Sequence, residues 1–291
     1  MKISLVMGTL NREHLAIRAI KSIINQNFFD WEIIVIDQSE KASKIIPTLD
    51  KKIVYIQVTE KGLSKARNLG IKLAHGEVIG LMDDDAVYSQ DTLRKVNDHF
   101  SSKPNLFLLS GKIVDFSQME INLQNSKETL TTITWNNFMK GLCISPSLFI
   151  KKEFFKEEAF DENLGVGCYL GSAEESDVVA KILNEKKTAL HDSSIIVFHH
   201  TGESKYEIDI KRHASYCRGF GAFCAKHIIR YKNQQIYKLY NIRMFRTKIG
   251  LLIARIKHDK FLIDLYKTTL DSRKEGYMLY KTILQRKDTI R

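Results

Sequence analysis

Residues 77–85 read Glu-Val-Ile-Gly-Leu-Met-Asp-Asp-Asp, an apolar run that stops on three consecutive carboxylates. A short run of this kind, with Gly76 before it, is the pattern of a strand buried on both faces. Its acidic stop would then lie at the carboxyl end of the strand, where ligands sit in open parallel sheets. Working upstream, residues 64–74 carry helical spacing, residues 53–58 form a strand, and residues 31–36 (Trp-Glu-Ile-Ile-Val-Ile) form another that stops at Asp37. Residues 3–7 (Ile-Ser-Leu-Val-Met) give a first strand, followed by Thr9-Leu10-Asn11-Arg12. A helix follows over about 15–25, with the stripe Ala16, Ala19, Ile20, Ile23 and Ile24. Strands alternating with helices require crossover connections and a mostly parallel sheet, hence an α/β fold. Thr9, Asp37 and Asp83 therefore fall at strand ends. One such residue reads as a turn or cap; three of them favour a site.

Downstream, residues 106–114 and 142–150 read as strands, Glu174 to about Asn184 as a helix, and Ser194–Phe198 as a strand ending at His199-His200. Beyond Lys205 the pattern is long helical periodicity without a clear strand, so the expected division is 1–204 and 205–291.

Charge supports the same division. The 291 residues carry a net charge of +11, yet residues 205–291 hold 21 Lys/Arg against 7 Asp/Glu. That segment is +14 and the remainder −3, so the basic excess faces something anionic or forms a solvated face. Phe245, Ile249, Leu252, Ile253 and Ile256 repeat at helical spacing among Lys248, Arg255, Lys257 and Lys260, a pattern suited to an anionic membrane surface or to packing on the preceding domain. Tyr216, Phe220 and Phe223 interleave with Arg218 and Lys226, but no nucleic-acid motif accompanies them, and no nucleic-acid partner is expected. Cys143, Cys168, Cys217 and Cys224 form no CxxC pair or zinc spacing and read as free thiols of a reducing cytosol. Met1-Lys2 runs directly into the strand-like ISLVM, so no signal peptide is expected, and no apolar run is long enough to span a bilayer.

Three adjacent carboxylates repel one another, so Asp83, Asp84 and Asp85 are costly together unless a cation joins them. Hard oxygen ligands suit Mg²⁺ or Mn²⁺, which also bridge to phosphates. Strand alternation would point Asp83 and Asp85 to one side. The triplet alone reads equally as an acidic helix N-terminus, since a helix follows Gln90.

The context decides between them. The blocks TLNREHLAIRAIKSIINQ (9–26), EIIVIDQS (32–39) and KGLSKARNLGIKLAHGEVIGLMDDD (61–85) resemble, in order and spacing, the inverting glycosyltransferases of family 2. GSAEESDVVAKIL (171–183) and VFHHTGES (197–204) are similar to the later acidic motif and histidine of that family, so the resemblance covers about residues 1–204. It implies a GT-A, Rossmann-like fold with nucleotide-sugar binding in 1–115 and the acceptor and catalytic part in 116–204. It implies a nucleotide-sugar pocket of Thr9, Asn11, Arg12, Asp37, Arg67, Asn68, Asp83 and Asp84, a Mn²⁺ or Mg²⁺ ion held by Asp85 and His199, and a general base at Glu175 or Glu174. Asp177 is expected to support that acidic motif or cap its helix. A fourth carboxylate common in the family is replaced here by Ala86. The implied reaction moves a sugar, from UDP in many members, to a glycan or lipid-linked glycan, by a cytoplasmic protein peripheral on the inner face of the membrane. A nucleotidyltransferase fits less well, because MGTLNRE carries one Gly where a glycine-rich phosphate loop is needed. A domain that binds without turning over is the remaining alternative.

Overall fold

The computed structural model describes residues 1–118, 129–156, 159–200 and 208–290. The expected boundary at 204/205, and Gly202 and Ser204 of the H-x-x-G-x-S motif, lie outside the described residues. The chain divides into two compact units, Met1–Phe160 with Val178–Thr201, and Asp161–Asp177 with Gly202–Arg291. Residues 161–177, which carry Glu174 and Glu175, thus group with the later unit.

The first unit is built on a mixed sheet. Strands β1 (Ile3–Thr9), β2 (Trp31–Asp37), β3 (Ile53–Gln57) and β4 (Val78–Asp83) pair in parallel, in the order β3-β2-β1-β4. Every residue of β2 is buried, and so is all of β1 but Gly8, which is why their sequences are near-continuous apolar runs. Helix α1 (Glu13–Ile24) buries Ala16, Ala19, Ile20 and Ile23. Each buried Ile stabilises the packing by about 2–3 kcal/mol. Helix α2 (Leu63–Leu73) lies so close to β1 that a Cβ on Gly70 would run into Val6, and this approach seats Arg67 beneath the sheet end.

Short strand β5 (Val87–Tyr88) and helix α3 (Thr92–Ser102) lead into β6 (Leu106–Val114); β7 (Leu130–Thr132), β8 (Leu148–Lys151) and β9 (Thr188–Phe198) follow. β8 enters antiparallel to β4, β6 is antiparallel to β8, and β9 is parallel to β6. Two reversals return the chain to its starting polarity, so β1, β2, β4, β6 and β9 all end on the same side. β5 and β7 pair antiparallel to β9.

Two strand expectations are corrected. Residues 142–150 are not one strand: Phe138–Leu142 and Ser145–Ser147 form irregular helical turns, and only Leu148–Lys151 is extended. Pro146, with no N–H to give, breaks the run that apolar composition alone suggested, and Gly141, at φ +85°, lies in the helical turn that leads into it. β9 begins at Thr188 rather than Ser194, because Asp192-Ser193-Ser194 reads as a turn but is absorbed as a bulge. Pairing slips there from Gly111↔Asp192 to Lys112↔Ile196.

In the second unit, α4 (Glu174–Asn184) contributes its first turn, and α5 (Ile210–Ile229), α6 (Gln234–Ile256) and α7 (Lys260–Ile290) follow. Phe220 and Phe223 are buried here, with Arg243 and Arg273 over the Phe220 ring at 4.7 and 5.3 Å. Among the described residues no helix is long and apolar enough to cross a membrane.

Candidate active site at the carboxyl ends of the strands

Each strand end delivers one polar side chain. Thr9 closes β1, nearly buried, and sits in register with Asp37 at the end of β2. Between β1 and α1 the chain turns through Asn11, whose left-handed φ of 56° is tolerated by an Asn side chain. The Asn11 N–H donates to Ser39 Oγ at 2.7 Å, which ties the two loops together. Both Asp37 oxygens have partners: Oδ1 accepts the Ser39 N–H at 2.9 Å and Oδ2 the Tyr55 hydroxyl at 2.6 Å. Burial, reinforced by the Asp37 carboxylate, pushes that hydroxyl up to about 12. A neutral donor therefore faces Asp37.

β4 ends at Asp83 and the chain turns at once, with the Ala86 N–H donating to Asp83 O at 3.2 Å. It is this turn, beyond the last residue of β4, that sends Asp84 inward and leaves Asp83 and Asp85 facing one position. Asp83 accepts from Arg67 at 3.0 Å and from Ser145 Oγ at 3.2 Å, while Arg67 also donates to Ser145 Oγ. Arg67 is only 1% exposed and lies over the Phe160 ring at 5.5 Å. Asp84 turns inward, 6% exposed, and accepts from Thr9 Oγ1 at 2.8 Å and Arg12 at 2.9 Å. Burial raises its pKa, against the pull of Thr9 and Arg12.

Asp85 points outward to His199, at 3.0 Å from Nε2, and to Arg12 at 3.1 Å. The hydrogen bond from His199 is the main reason the Asp85 pKa falls, and the same bond raises that of His199. His199 follows β9; β5, just past the acidic turn, pairs antiparallel with the end of β9 (Val87↔Phe198), and this brings His199 beside Asp85 despite the distance in sequence. His200 is exposed and packs against Phe116 instead, at 4.9 Å. One ligand atom each from Asp83, Asp85 and His199 lies within 4.8 Å of the others. Ligand bonds of about 2.1 Å place two donors on one ion up to about 4.2 Å apart, so the triad fits an ion with shifts below about 1 Å. Two carboxylates and an imidazole suit Mn²⁺ or Mg²⁺.

Thr9, Arg12, Arg67, Asp83, Asp84, Asp85 and His199 are thus brought together, with Asn11 and Asp37 beside them. Asn68 is not: its amide clamps the Phe160 backbone, donating at 3.0 Å and accepting at 2.9 Å. Glu174 and Glu175 open α4 in the other unit; Glu174 is nearly buried and Glu175 half-buried. Ala173 before them holds a left-handed φ of 70°, which costs an alanine about 1 kcal/mol. Residues that sequence reasoning passed over are Ser39, Tyr55, Ser145 and Arg18, the last donating to the Asp85 carbonyl at 3.3 Å. Tyr55 had one weak signal, its period-2 place in β3; Ser145 had none.

A parallel half-sheet with an acidic turn and a histidine at its carboxyl edge is the architecture of a GT-A glycosyltransferase. The chain belongs to glycosyl transferase family 2, whose model matches residues 4–155. It is 28% identical over 269 residues to the "Putative colanic acid biosynthesis glycosyl transferase WcaA" of Escherichia coli K12, covering 87% of this chain and 94% of that one. The chain spans under a third of the length of several other curated relatives. Its fold is similar to that of S. aureus TarS residues 1–349 in complex with UDP-GlcNAc, with a TM-score of 0.64, 16% identity, and coverage of 98% of this chain and 92% of TarS 1–349. It is also similar to that of the mannosyltransferase PcManGT of Pyrobaculum calidifontis in complex with GDP-Man and Mn²⁺, with a TM-score of 0.61, 14% identity, and coverage of 97% and 86%. Membership in the family decides against the nucleotidyltransferase weighed above.

Proposed function

We propose that this glycosyltransferase is inverting and metal-dependent, and that it moves a sugar from a UDP-sugar to a glycan or lipid-linked glycan in the synthesis of a cell-surface polysaccharide. The convergence of Asp83, Asp85 and His199 carries the reading. Bound there, Mn²⁺ or Mg²⁺ would offset the negative charge that develops on the departing diphosphate. The polysaccharide context follows WcaA, and the donor and metal follow the ligands of TarS and PcManGT.

Around that position Thr9, Asn11, Arg12 and Asp37 form the wall for nucleotide and ribose. Arg67 and Ser145 fix the Asp83 carboxylate from below, and Asn68 supports the pocket by holding the backbone at Phe160. Glu175 is the general base, being the more open of the two acids at the start of α4. It takes the proton of the acceptor hydroxyl; that oxygen bonds to the anomeric carbon as the bond to the diphosphate oxygen breaks on the opposite face. Lipid-linked acceptors lie in a bilayer, so the reading includes peripheral attachment to the cytoplasmic face of the cell membrane.

Purified protein incubated with a panel of nucleotide-sugars and Mn²⁺, with and without chelator, tests the reading through released nucleotide. Release from one donor that stops with chelator and in Asp85→Ala supports it. Release unchanged by chelator overturns the metal requirement.

A further inference from the structure

Helix α6 is apolar on two faces. One face carries Ile236, Met244 and Ala254 into the helical unit, where Gly250 packs on the Tyr266 ring and Thr247 accepts from Arg273 at 2.8 Å. The other face carries Ile242, Phe245, Ile249, Leu252, Ile253 and Ile256, all exposed, with Phe245 at 64%, Leu252 at 58% and Ile256 at 69%. At 3.6 residues per turn these six fall within an arc of about 100°, in a stripe about 21 Å long. Single exposed apolar residues are ordinary; a contiguous stripe of this size marks a surface that is covered in use.

The charges around the stripe say what covers it. Arg246 and Lys257 border one edge, and Lys248 and Arg255 the other. Residues 234–256 contain no Asp or Glu at all. Ile242, Phe245, Ile249, Leu252 and Ile256 follow the alternating three- and four-residue spacing of a coiled-coil seam, so a second copy of the chain is the obvious competitor. Such a pairing would set cation against cation along both edges, where coiled coils place opposite charges. A bilayer with anionic headgroups has the complementary arrangement: acyl boundary for the stripe, phosphates for the ammonium and guanidinium groups that reach outward on long stems.

We propose that the outward face of α6 is a membrane-docking surface, on which the helix lies in the plane of an anionic lipid bilayer with Phe245, Leu252 and Ile256 inserted. Binding here needs no donor, acceptor or metal, so it stands or falls apart from the transfer reaction.

Co-sedimentation of the full chain with vesicles of phosphatidylcholine alone, or of phosphatidylcholine with phosphatidylglycerol, tests this, with size-exclusion chromatography beside it. The expected result is a monomer that sediments with the anionic vesicles and stays in solution with the neutral ones. Phe245→Glu/Leu252→Glu and, separately, Arg246→Gln/Lys248→Gln/Arg255→Gln should each weaken binding by about tenfold or more, the second set by charge alone. All five side chains are exposed, and an unchanged melting curve verifies that the variants are folded. No binding of wild type to anionic vesicles overturns the proposal, as does undiminished binding by both variants. A dimer in solution that Phe245→Glu/Leu252→Glu dissolves assigns the stripe to a second copy and equally overturns it.

Discussion

Lys226 reaches from α5 to place its Nζ 2.8 Å from Asp177 Oδ2, and Asp177 stands one turn after Glu174 on α4. The Lys226 ammonium also meets Asp161 Oδ2 at 2.8 Å, while Asp177 Oδ1 lies 2.9 Å from His227 Nε2. All four side chains are almost wholly buried. A cation shared by two carboxylates in this setting fixes the rotation of the helix that opens with the acidic pair.

Removing the cation leaves two buried carboxylates facing each other. Lys226→Met should lower stability by about 3–5 kcal/mol, the size seen when one member of a buried pair is lost. Urea unfolding measures it, and a loss below about 1 kcal/mol would mean the ammonium is not the centre of the cluster.

Burial works against ionisation of Asp161, but Lys226 and the hydroxyl of Tyr280 hold its carboxyl at about 2. That lies below the ordinary value of about 3.9, so its contribution to stability is complete above roughly pH 5 and fades as the pH falls through 4 towards 2. Unfolding midpoints followed from neutral to acid pH should decline in that window, and Asp161→Asn should decline less steeply than wild type.

Tyr55→Phe deletes the donor to Asp37 Oδ2 and the acceptor for the Ser43 N–H. Stability should fall by about 1 kcal/mol, and UDP affinity several-fold, because Asp37 loses one of two anchors. Calorimetric titration with UDP reads the second effect; unchanged affinity would remove Asp37 from the nucleotide wall.

Glu175→Gln keeps the shape of the side chain and removes its basicity. Donor binding should persist while turnover drops by about a hundredfold or more. Normal turnover would pass the role of base to Glu174.

In the parallel half of the sheet, β1, β2 and β4 were legible because they are buried on both faces and announce themselves as near-continuous apolar runs, each stopping on a polar residue. Asp83 and Asp85 could be nominated on type and spacing, and His199 only through the resemblance to the family; the structure brings their ligand atoms together. Strand alternation was the wrong reason for it, since the chain turns at Asp84 and sends that side chain inward. The strand expected over 142–150 overruns β8, because a strand of four residues has no period of its own and Ser145-Pro146-Ser147 falls within the run. Ser145 could not be found at all: its role depends on the reversed polarity of β8, which no local pattern encodes. Asp177 was expected to support the acidic motif or cap its helix, but no local pattern links it to Asp161, Lys226 or His227, which come from separate segments.

The two reversals around β8 also set an order of events for a growing chain. Asp83 and Asp85 leave the ribosome early, at and just past the end of β4, whose parallel partner β1 is already made, whereas His199 arrives only after β9 and takes its place only when β9 has docked beside β6. Long-range parallel pairing of this kind is slow to form. A nascent chain can therefore assemble its parallel half while the acidic corner still lacks its imidazole, and competence to hold a cation there becomes a signature of completed folding.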